Sequence, residues 1–423
     1  MDKDFIKLNF VDGFIKSNSK LRLVLSGLLS PFDLFLIKSI ASLGKKILYI
    51  TIDEQTALKA QKDLETLLNI KSEVLPNQEI GLYSELEKNY YIYQEQINIF
   101  LNQPNVIFAP IKALSEKFGT IDFYKNNIIE FKKNDTVDYT EITKKLVELG
   151  YKRTTNVVDI GEFALRGDIL DIHGLDYNPI RIEFFADTIE DIRYFNPNTQ
   201  KSFKKVENAR ILPLYKFILN DKNKAQFIEK IKKIKNNDDF TTQIKNELME
   251  KIQERGYFEG IEYYINYIEE KTNSALDFFS DYILIFKETS QIISKYQNID
   301  EKYIQEYDEA IKSNLKLPLE KLNHVKTDEF LAQTKKFKSI GLDNFLEDDY
   351  DKIIEFDLSL PPVFSCDIEK IGKFIKKYLN ENYKILICTN FPNRLKEVFD
   401  ELEIFSFDIF SSSDITPPVD ISG

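Results

Sequence analysis

An arginine, a carboxylate and an aromatic side chain alternate with apolar side chains along the segment 180–185, IRIEFF. Successive side chains of a strand point to opposite faces, so the three apolar alternates predict a core face. Arg181, Glu183 and Phe185 then share the outer face. Arginine and aromatic residues are enriched in interface hot spots, so the pattern predicts a protein-binding face. An equally open interpretation is that Arg181 pairs with Glu183 or a neighbour while Phe185 covers the edge of the core.

A second arginine, Arg166, is predicted on the same small sheet. It lies in the predicted strand 163–172, which would pair with 180–185 through a turn at 174–178. Counting back from that turn places Arg166 near the far end of the sheet. The sequence therefore predicts two arginines on one docking face.

The loop after the first predicted strand, 21–25, occupies the position that the phosphate loop has in nucleotide hydrolases. In those proteins a glycine-rich loop ends in Gly-Lys-Ser/Thr, which supplies backbone amides, a lysine and a magnesium-binding hydroxyl. Here the loop 26–33 reads SGLLSPFD, with one glycine, no lysine and a proline where an amide donor is needed. The residues of this degenerate nucleotide loop are Ser26, Gly27, Pro31 and Asp33.

The acidic motif that would hold magnesium is also altered. The predicted strand 282–288, YILIFKE, ends with Lys287 in place of an acid, and Glu288 is interpreted as a solvated helix cap. A lysine at that position repels a metal ion. The sequence therefore predicts no working ATP site and no catalytic residues. A divergent helicase-like ATPase that uses the SGLLSPFD loop is the rival interpretation.

Metal-binding and nucleophilic residue types are sparse. The chain has two histidines, His173 and His324, and two cysteines, Cys366 and Cys388, far apart in the sequence. A zinc site would need both histidines and distant cysteines, so no metal site is predicted. His173 is expected in a turn or packing role, and the cysteines are expected to be small buried apolar residues.

Charge and composition restrict the partners and the compartment. The net charge is -12 and the pI is about 5.1, which argues against nucleic acid as the primary partner. A DNA-binding run at Lys201, Lys204 and Lys205 is a third hypothesis, although a solvated face is favoured for it. Two cysteines in 423 residues indicate a reducing compartment. The absence of a signal core or a long apolar run predicts a cytoplasmic protein without a membrane partner.

The order of the elements predicts an α/β protein. Strands and helices alternate over the first 120 residues, as in a doubly wound parallel sheet, and period-two patterning then predicts an inserted antiparallel sheet. The predicted units are a degenerate nucleotide-hydrolase domain at 1–125, an inserted β-rich domain at 126–209, a helical part completing the first domain at 210–340, an acidic linker at 341–355, and a second small α/β domain with a tail at 356–423.

The segment 154–202 closely resembles a module shared by the excision-repair helicase UvrB and the transcription-repair coupling factor family (Mfd). Weaker resemblance extends over the whole chain through LPNQEI (75–80) and NVIFAPIKAL (105–114). The degenerate phosphate loop and the short connection after Pro76, which leaves no room for an aromatic hairpin, favour the N-terminal UvrB-like module of the coupling factors. The matching residues in 154–202 are Gly161, Glu162, Phe163, Arg166, Gly167, Ile169 to Ile172, Arg181 to Phe185, Ile192, Arg193, Phe195, Thr199, Gln200 and Ser202. The family often has Phe-Pro at 173–174 and Gly-Asp at 186–187, where this chain has His-Gly and Ala-Asp.

This resemblance implies that the inserted domain recruits UvrA through positions matching Arg166, Arg181 and Phe185. It also implies that a C-terminal domain of the same protein masks this face. The whole protein is expected to be an ATP-dependent DNA translocase that acts on stalled RNA polymerase, with ATP, magnesium, polymerase and DNA bound by domains outside this fragment. No cofactor is expected in these 423 residues. A UvrB-like DNA-damage-binding protein is the remaining alternative.

Overall fold

Among the residues that the computed structural model describes, the strands form one seven-stranded sheet, one six-stranded sheet and two two-stranded sheets. The described residues are 10–17, 21–78, 90–174, 178–235, 239–254, 256–258, 260–313, 315–343, 350–359, 362, 364, 367–383, 385, 387 and 391–404.

The strands and helices follow in chain order. The strands are β1 (Arg22–Ser26), β2 (Lys46–Thr51), β3 (Glu73–Val74), β4 (Val106–Pro110), β5 (Lys117–Phe118), β6 (Ile129–Lys132), β7 (Lys152–Arg153), β8 (Glu162–Arg166), β9 (Ile169–Ile172), β10 (Ile180–Phe185), β11 (Thr188–Phe195), β12 (Ser202–Val206), β13 (Asn208–Ile211), β14 (Asn273–Ser274), β15 (Tyr282–Lys287), β16 (Ser339–Asp343) and β17 (Lys352–Glu355). The α-helices are α1 (Phe10–Lys16), α2 (Phe32–Ser42), α3 (Glu54–Leu68), α4 (Tyr90–Asn102), α5 (Ile121–Asn126), α6 (Tyr139–Glu148), α7 (Asp221–Lys233), α8 (Asp239–Glu254), α9 (Ile265–Ile268), α10 (Thr289–Lys312), α11 (Thr327–Thr334), α12 (Ile368–Asn380) and α13 (Pro392–Glu401).

The seven-stranded sheet is parallel throughout and has the order β17-β1-β16-β15-β2-β4-β3. Its strands are apolar runs because helices cover both faces. On β2, Ile47 and Tyr49 pack in a core with α2 and α3, whereas Leu48 and Ile50 pack with α4 and α10 on the other face. This arrangement confirms the predicted α/β class with a doubly wound parallel sheet.

The acidic linker predicted at 341–355 overlaps two strands of this sheet. β16 lies between β1 and β15, and β17 pairs with the other side of β1. The described part of that segment is therefore sheet and not linker. Residues 344–349 lie outside the described residues. The acidic run LEDDYDK suggested a linker, but it stands between two short strands. Their partner, β1, is more than 300 residues away in the sequence, so the pairing was not evident.

The six-stranded sheet has the order β12-β11-β10-β9-β8-β7 and is antiparallel except for the β7–β8 pair. The single strand predicted at 163–172 is wrong. It is a hairpin of β8 and β9, closed by a turn at Gly167, whose φ of +58° lies in the left-handed region that favours glycine. Arg166 therefore ends β8 and pairs with Ile169. Most of the predicted turn at 174–178 lies outside the described residues.

The helices α7, α8 and α9 share one buried apolar cluster with the six-stranded sheet. Ile182 and Ile192 of the sheet belong to it together with Phe227, Ile231 and Ile252 of the helices. The helical section predicted at 210–340 is thus divided. Its first half packs with the inserted sheet, and β15 joins the parallel sheet as predicted.

The last described elements, α12 and α13, pack around Ile375, Phe399 and Ile404. Much of the second small α/β domain and tail predicted at 356–423 lies outside the described residues, including Cys366, Cys388 and residues 405–423. None of the helices in the described ranges combines the length and apolar composition needed to cross a bilayer.

A half-buried carboxylate after α9, that of Glu269, makes the stability of the helical part depend on pH. Burial raises the pKa of Glu269 from 4.5 to about 7, and its Oε1 accepts a hydrogen bond of 3.3 Å from Asn223 Nδ2. The folded state therefore binds the proton more tightly than the unfolded state. The resulting stabilisation is complete below the unfolded pKa and is lost as pH rises through 7.

We expect Glu269→Gln to raise the free energy of unfolding at pH 8 by about 1 kcal/mol and to leave it nearly unchanged at pH 4.5. Urea unfolding at both pH values measures this. Glu270→Gln is the control, because Glu270 is exposed and its pKa is lowered by Lys222. An equal gain for Glu269→Gln at the two pH values would contradict the assignment.

Candidate protein-docking surface

The carboxylate of Asp171, in the middle of β9, has no solvent exposure and is held by two arginines. Arg181 lies directly opposite on β10 and makes a bidentate pair, with 2.7 Å from Nε to Oδ1 and 2.8 Å from Nη2 to Oδ2. Arg166 at the end of β8 reaches Oδ2 with Nη2 at 2.5 Å. The structure therefore brings the two predicted arginines together through a residue that the prediction did not single out.

Arg181 is largely committed to contacts within the sheet. Its guanidinium lies over the Phe195 ring at 4.5 Å, and Nη1 donates to the carbonyl of Gln200 at 3.1 Å. Only 15% of the side chain is exposed. The hydrogen bond that Arg181 donates to Asp171 raises the pKa of Arg181 above its ordinary value. Arg181 does not pair with Glu183. Cross-strand register instead gives it a neighbouring carboxylate, that of Asp171, as the alternative interpretation allowed.

Glu183 belongs to a second ionic group on the same face. Arg193 of β11 donates to Glu183 through Nη2, and its Nε lies 3.4 Å from Asp191 Oδ2. Lys205 Nζ is 3.0 Å from the same Asp191 oxygen. One lysine of the basic run 201–205 therefore already has an acidic partner within the sheet.

Arg166 and Phe185 are the most exposed of the four predicted docking residues. The Arg166 side chain is 44% exposed, although Nη1 also donates to Asn156 Oδ1 at 2.8 Å. Phe185 is 77% exposed at the end of β10. The residue after it, Ala186, has a φ of +51°, where the resembling family often has glycine. Tyr139 donates a hydrogen bond to the Ala186 carbonyl and thereby supports this turn.

Asp171 could have been found from the sequence. A charged residue inside the apolar run ILDI is costly to bury, so its presence indicates a cationic partner on a neighbouring strand. The turn at Gly167, which the predicted single strand left out, determines that β8 supplies the second partner, Arg166.

The degenerate nucleotide loop lies under the chain that follows β17. Gly27 has a φ of +74°, and a Cβ placed on it would lie 2.3 Å from the Phe356 carbonyl oxygen. Phe356 N donates to the Ser26 carbonyl at 2.8 Å. Within the loop, the amide of Leu34 donates to the Pro31 carbonyl at 3.0 Å.

The two degenerate motifs are in contact with each other. Asp33 is buried at the start of α2 and accepts a hydrogen bond of 2.7 Å from the Tyr49 hydroxyl. Lys287, at the end of β15, places Nζ 3.5 Å from Asp33 Oδ2. Glu288 occupies the position before α10 without a side-chain capping bond and accepts from Gln291 Nε2 at 3.0 Å. Burial, with the Asp33 charge, raises the pKa of Tyr49 well above its ordinary value.

The histidines pack among separate sets of neighbours. His173 Nδ1 lies 2.9 Å from the Val158 carbonyl. His324 Nε2 lies 3.0 Å from Asp300 Oδ1, the ring stacks on Tyr303 at 4.3 Å, and burial lowers the His324 pKa. Within the described ranges, no three His, Cys, Asp or Glu side chains converge as metal ligands.

The Asp33 environment gives a stability prediction. We expect Lys287→Met to lower the free energy of unfolding by roughly 1–2 kcal/mol, since it removes the cation from a buried carboxylate, while the partial exposure of the lysine limits the loss. The same change in an Asp33→Asn background should cost little. Chemical denaturation measures both. Lys302→Met serves as the control, because the Lys302–Glu306 pair has a similar 3.7 Å spacing on an exposed helix. Equal losses for the two lysines would contradict this account.

Comparison with known proteins finds relatives for the range that carries the predicted docking residues. Residues 129–217, from β6 through the six-stranded sheet and β13, match the UvrB interaction domain family. The transcription-repair-coupling factor of Borreliella burgdorferi is 33% identical over 218 residues, which is 50% of this chain and 19% of that protein. The factor of Bacillus subtilis is 28% identical over 59% of this chain and 23% of its own length. The factor of Staphylococcus aureus (strain MRSA252) is 23% identical over 85% of this chain and 32% of its own length.

The chain thus spans about a fifth to a third of the length of these curated relatives. The matched range includes every strand that carries the predicted docking residues. Residues 129–217 are therefore similar to the UvrB interaction domain, in a chain that is similar over most of its length to a transcription-repair-coupling factor.

Proposed function

We propose that this chain acts in transcription-coupled DNA repair as a non-catalytic docking module whose six-stranded sheet binds UvrA. The observation that carries the proposal is the coincidence of two independent features. The range that matches the UvrB interaction domain is also the range in which an exposed arginine and an exposed phenylalanine share one sheet face.

The charge distribution supports a protein partner at this face. Residues 129–217 contain 14 Lys and Arg against 15 Asp and Glu, a net charge of -1 within a chain of net charge -12. The remainder of the chain is strongly acidic and repels an acidic partner, whereas this domain does not. Arginine has five N–H donors, so Arg166 keeps donors available after its bonds to Asp171 and Asn156.

The proposed surface consists of Arg166, Arg181, Glu183 and Phe185. Arg166 pairs with Ile169, which pairs in turn with Glu183, and Phe185 lies two residues further along β10. Strand spacing and rise then put the Cα atoms of Arg166 and Phe185 roughly 12 Å apart. A cationic group and an aromatic group at this separation fit within one standard protein interface.

The parallel-sheet domain is proposed to have lost nucleotide hydrolysis. The Asp33 carboxylate and the Lys287 ammonium neutralise each other where a magnesium nucleotide would need a free cation and a free acid. The Phe356 carbonyl also lies against Gly27, the glycine of the loop. The rival proposals, a divergent helicase-like ATPase and a UvrB-like DNA-damage-binding protein, both require that loop or a DNA surface to be available.

The relatives suggest the setting of this module. We propose that it is the N-terminal module of a cytoplasmic coupling factor whose other domains hydrolyse ATP, move on DNA and act on RNA polymerase. A C-terminal domain of the same protein is proposed to mask the docking surface until the polymerase is engaged.

The docking proposal predicts the effect of two substitutions. We expect Arg166→Ala and Phe185→Ala each to weaken UvrA binding about tenfold or more, because each removes a hot-spot side chain. Calorimetry with purified UvrA measures the affinity, and circular dichroism checks the fold. Phe240→Ala and Arg394→Ala are matched controls, since both side chains are exposed and lie outside 129–217. Folded wild-type protein that does not bind UvrA, or equal losses in the controls, would rule the proposal out.

The loss of the nucleotide site predicts no detectable ATP binding at millimolar ATP with magnesium, measured by calorimetry on the same protein. Stoichiometric binding would instead support the helicase-like enzyme, provided that turnover depends on Lys38, the nearest lysine after the SGLLSPFD loop.

A further inference from the structure

The two arginines of the proposed docking surface differ in how many of their N–H donors are already hydrogen-bonded within the sheet. Arg181 uses Nε, Nη1 and Nη2 inside the sheet and covers Phe195. Arg166 uses one bond on each terminal nitrogen and remains about half exposed. A partner that bound Arg181 directly would have to compete with a buried bidentate carboxylate.

The buried carboxylate links the two arginines. Asp171 Oδ1 accepts a hydrogen bond from Arg181, and Asp171 Oδ2 accepts hydrogen bonds from both Arg166 and Arg181. Two guanidinium groups would repel each other if this charge were absent. Asp171 therefore sets both the distance between the arginines and the direction in which Arg166 leaves the sheet.

We propose that Asp171 and Arg181 are positioning residues, which hold the Arg166 guanidinium at the sheet surface so that Arg166 and Phe185 make the direct contacts with the partner. This inference rests on the proposed docking function. The group recognised by Arg166 is a carboxylate or a carbonyl of the partner, because a guanidinium offers only donors.

A double-mutant cycle tests the positioning role. Asp171→Asn keeps the shape of the side chain and removes its charge. If Asp171 acts through Arg166, Asp171→Asn should weaken UvrA binding about tenfold relative to the wild type. The double variant Asp171→Asn, Arg166→Ala should then also bind about tenfold more weakly than the wild type, with no additional loss. Independent contributions would instead multiply to about a hundredfold, and that result would overturn the proposal.

A second carboxylate on the same face provides the matched comparison. Asp191→Asn removes a partner of Arg193 and Lys205, not of Arg166. The factor by which Asp191→Asn changes the affinity for UvrA should multiply with the factor for Arg166→Ala in the double variant. A non-multiplicative result for Asp191 as well would mean that any loss of charge on this face acts alike, and the specific link from Asp171 to Arg166 would be rejected.

If Asp171→Asn does not fold, Arg181→Lys can replace it in the double-mutant cycle with Arg166→Ala. Lysine keeps the positive charge and cannot form the bidentate pair. We expect Arg181→Lys to weaken binding and to be non-multiplicative with Arg166→Ala. Multiplicative losses would show that Arg181 contacts the partner itself, against the proposal.

A measurement without a partner separates this inference from the docking proposal. Nitrogen-15 NMR of the arginine side chains should show restricted rotation of the Arg166 guanidinium in the wild type and in Asp191→Asn. Rotation should be faster in Asp171→Asn, in which Arg166 loses its ionic partner and keeps the bond to Asn156. If Arg166 is mobile in the wild type, the positioning role is wrong even where UvrA binds. If Arg166 is restricted and UvrA does not bind, only the docking function fails.

Discussion

The burial of one charged group, the carboxylate of Asp171, constrains the whole six-stranded sheet. An ionised carboxylate without solvent contact is stable only when cations and hydrogen bonds replace its water. Arg181 and Arg166 supply both from the two flanking strands. The β8–β9–β10 register must then hold, because a slip of one residue would turn Asp171 into the apolar core. The stack of Arg181 on Phe195 extends the same constraint to β11.

Buried, hydrogen-bonded carboxylates also lie at the carboxyl edge of the parallel sheet, where ligands bind in open α/β sheets. Asp33 is buried against Tyr49 and Lys287, and Asp343 is buried against the hydroxyl of Thr289 at 2.6 Å. In our account, side chains of the chain itself have taken over the polar groups that a nucleotide would otherwise meet.

Local patterning was sufficient for much of this architecture. The alternation in 180–185 predicted which side chains face outward, and the buried alternates and exposed Phe185 agree with it. The apolar runs predicted the parallel sheet. Pairing between distant segments was not predictable, since β16 and β17 are short and their partner β1 is remote in sequence. The predicted turn at 174–178 is consistent with Asp171 lying opposite Arg181, but the link from Asp171 to Arg166 depends on the β8–β9 register around Gly167, which the predicted single strand left out.

Hydrogen–deuterium exchange of this protein with and without UvrA tests the central claim most directly, because it maps the contact without altering any residue. The account predicts slower amide exchange in β8, in β10 and in the turn after Phe185, with no change in the loop 26–33. Protection confined to that loop or to α8, with β8 and β10 unaffected, would contradict the claim that the six-stranded sheet is the docking surface.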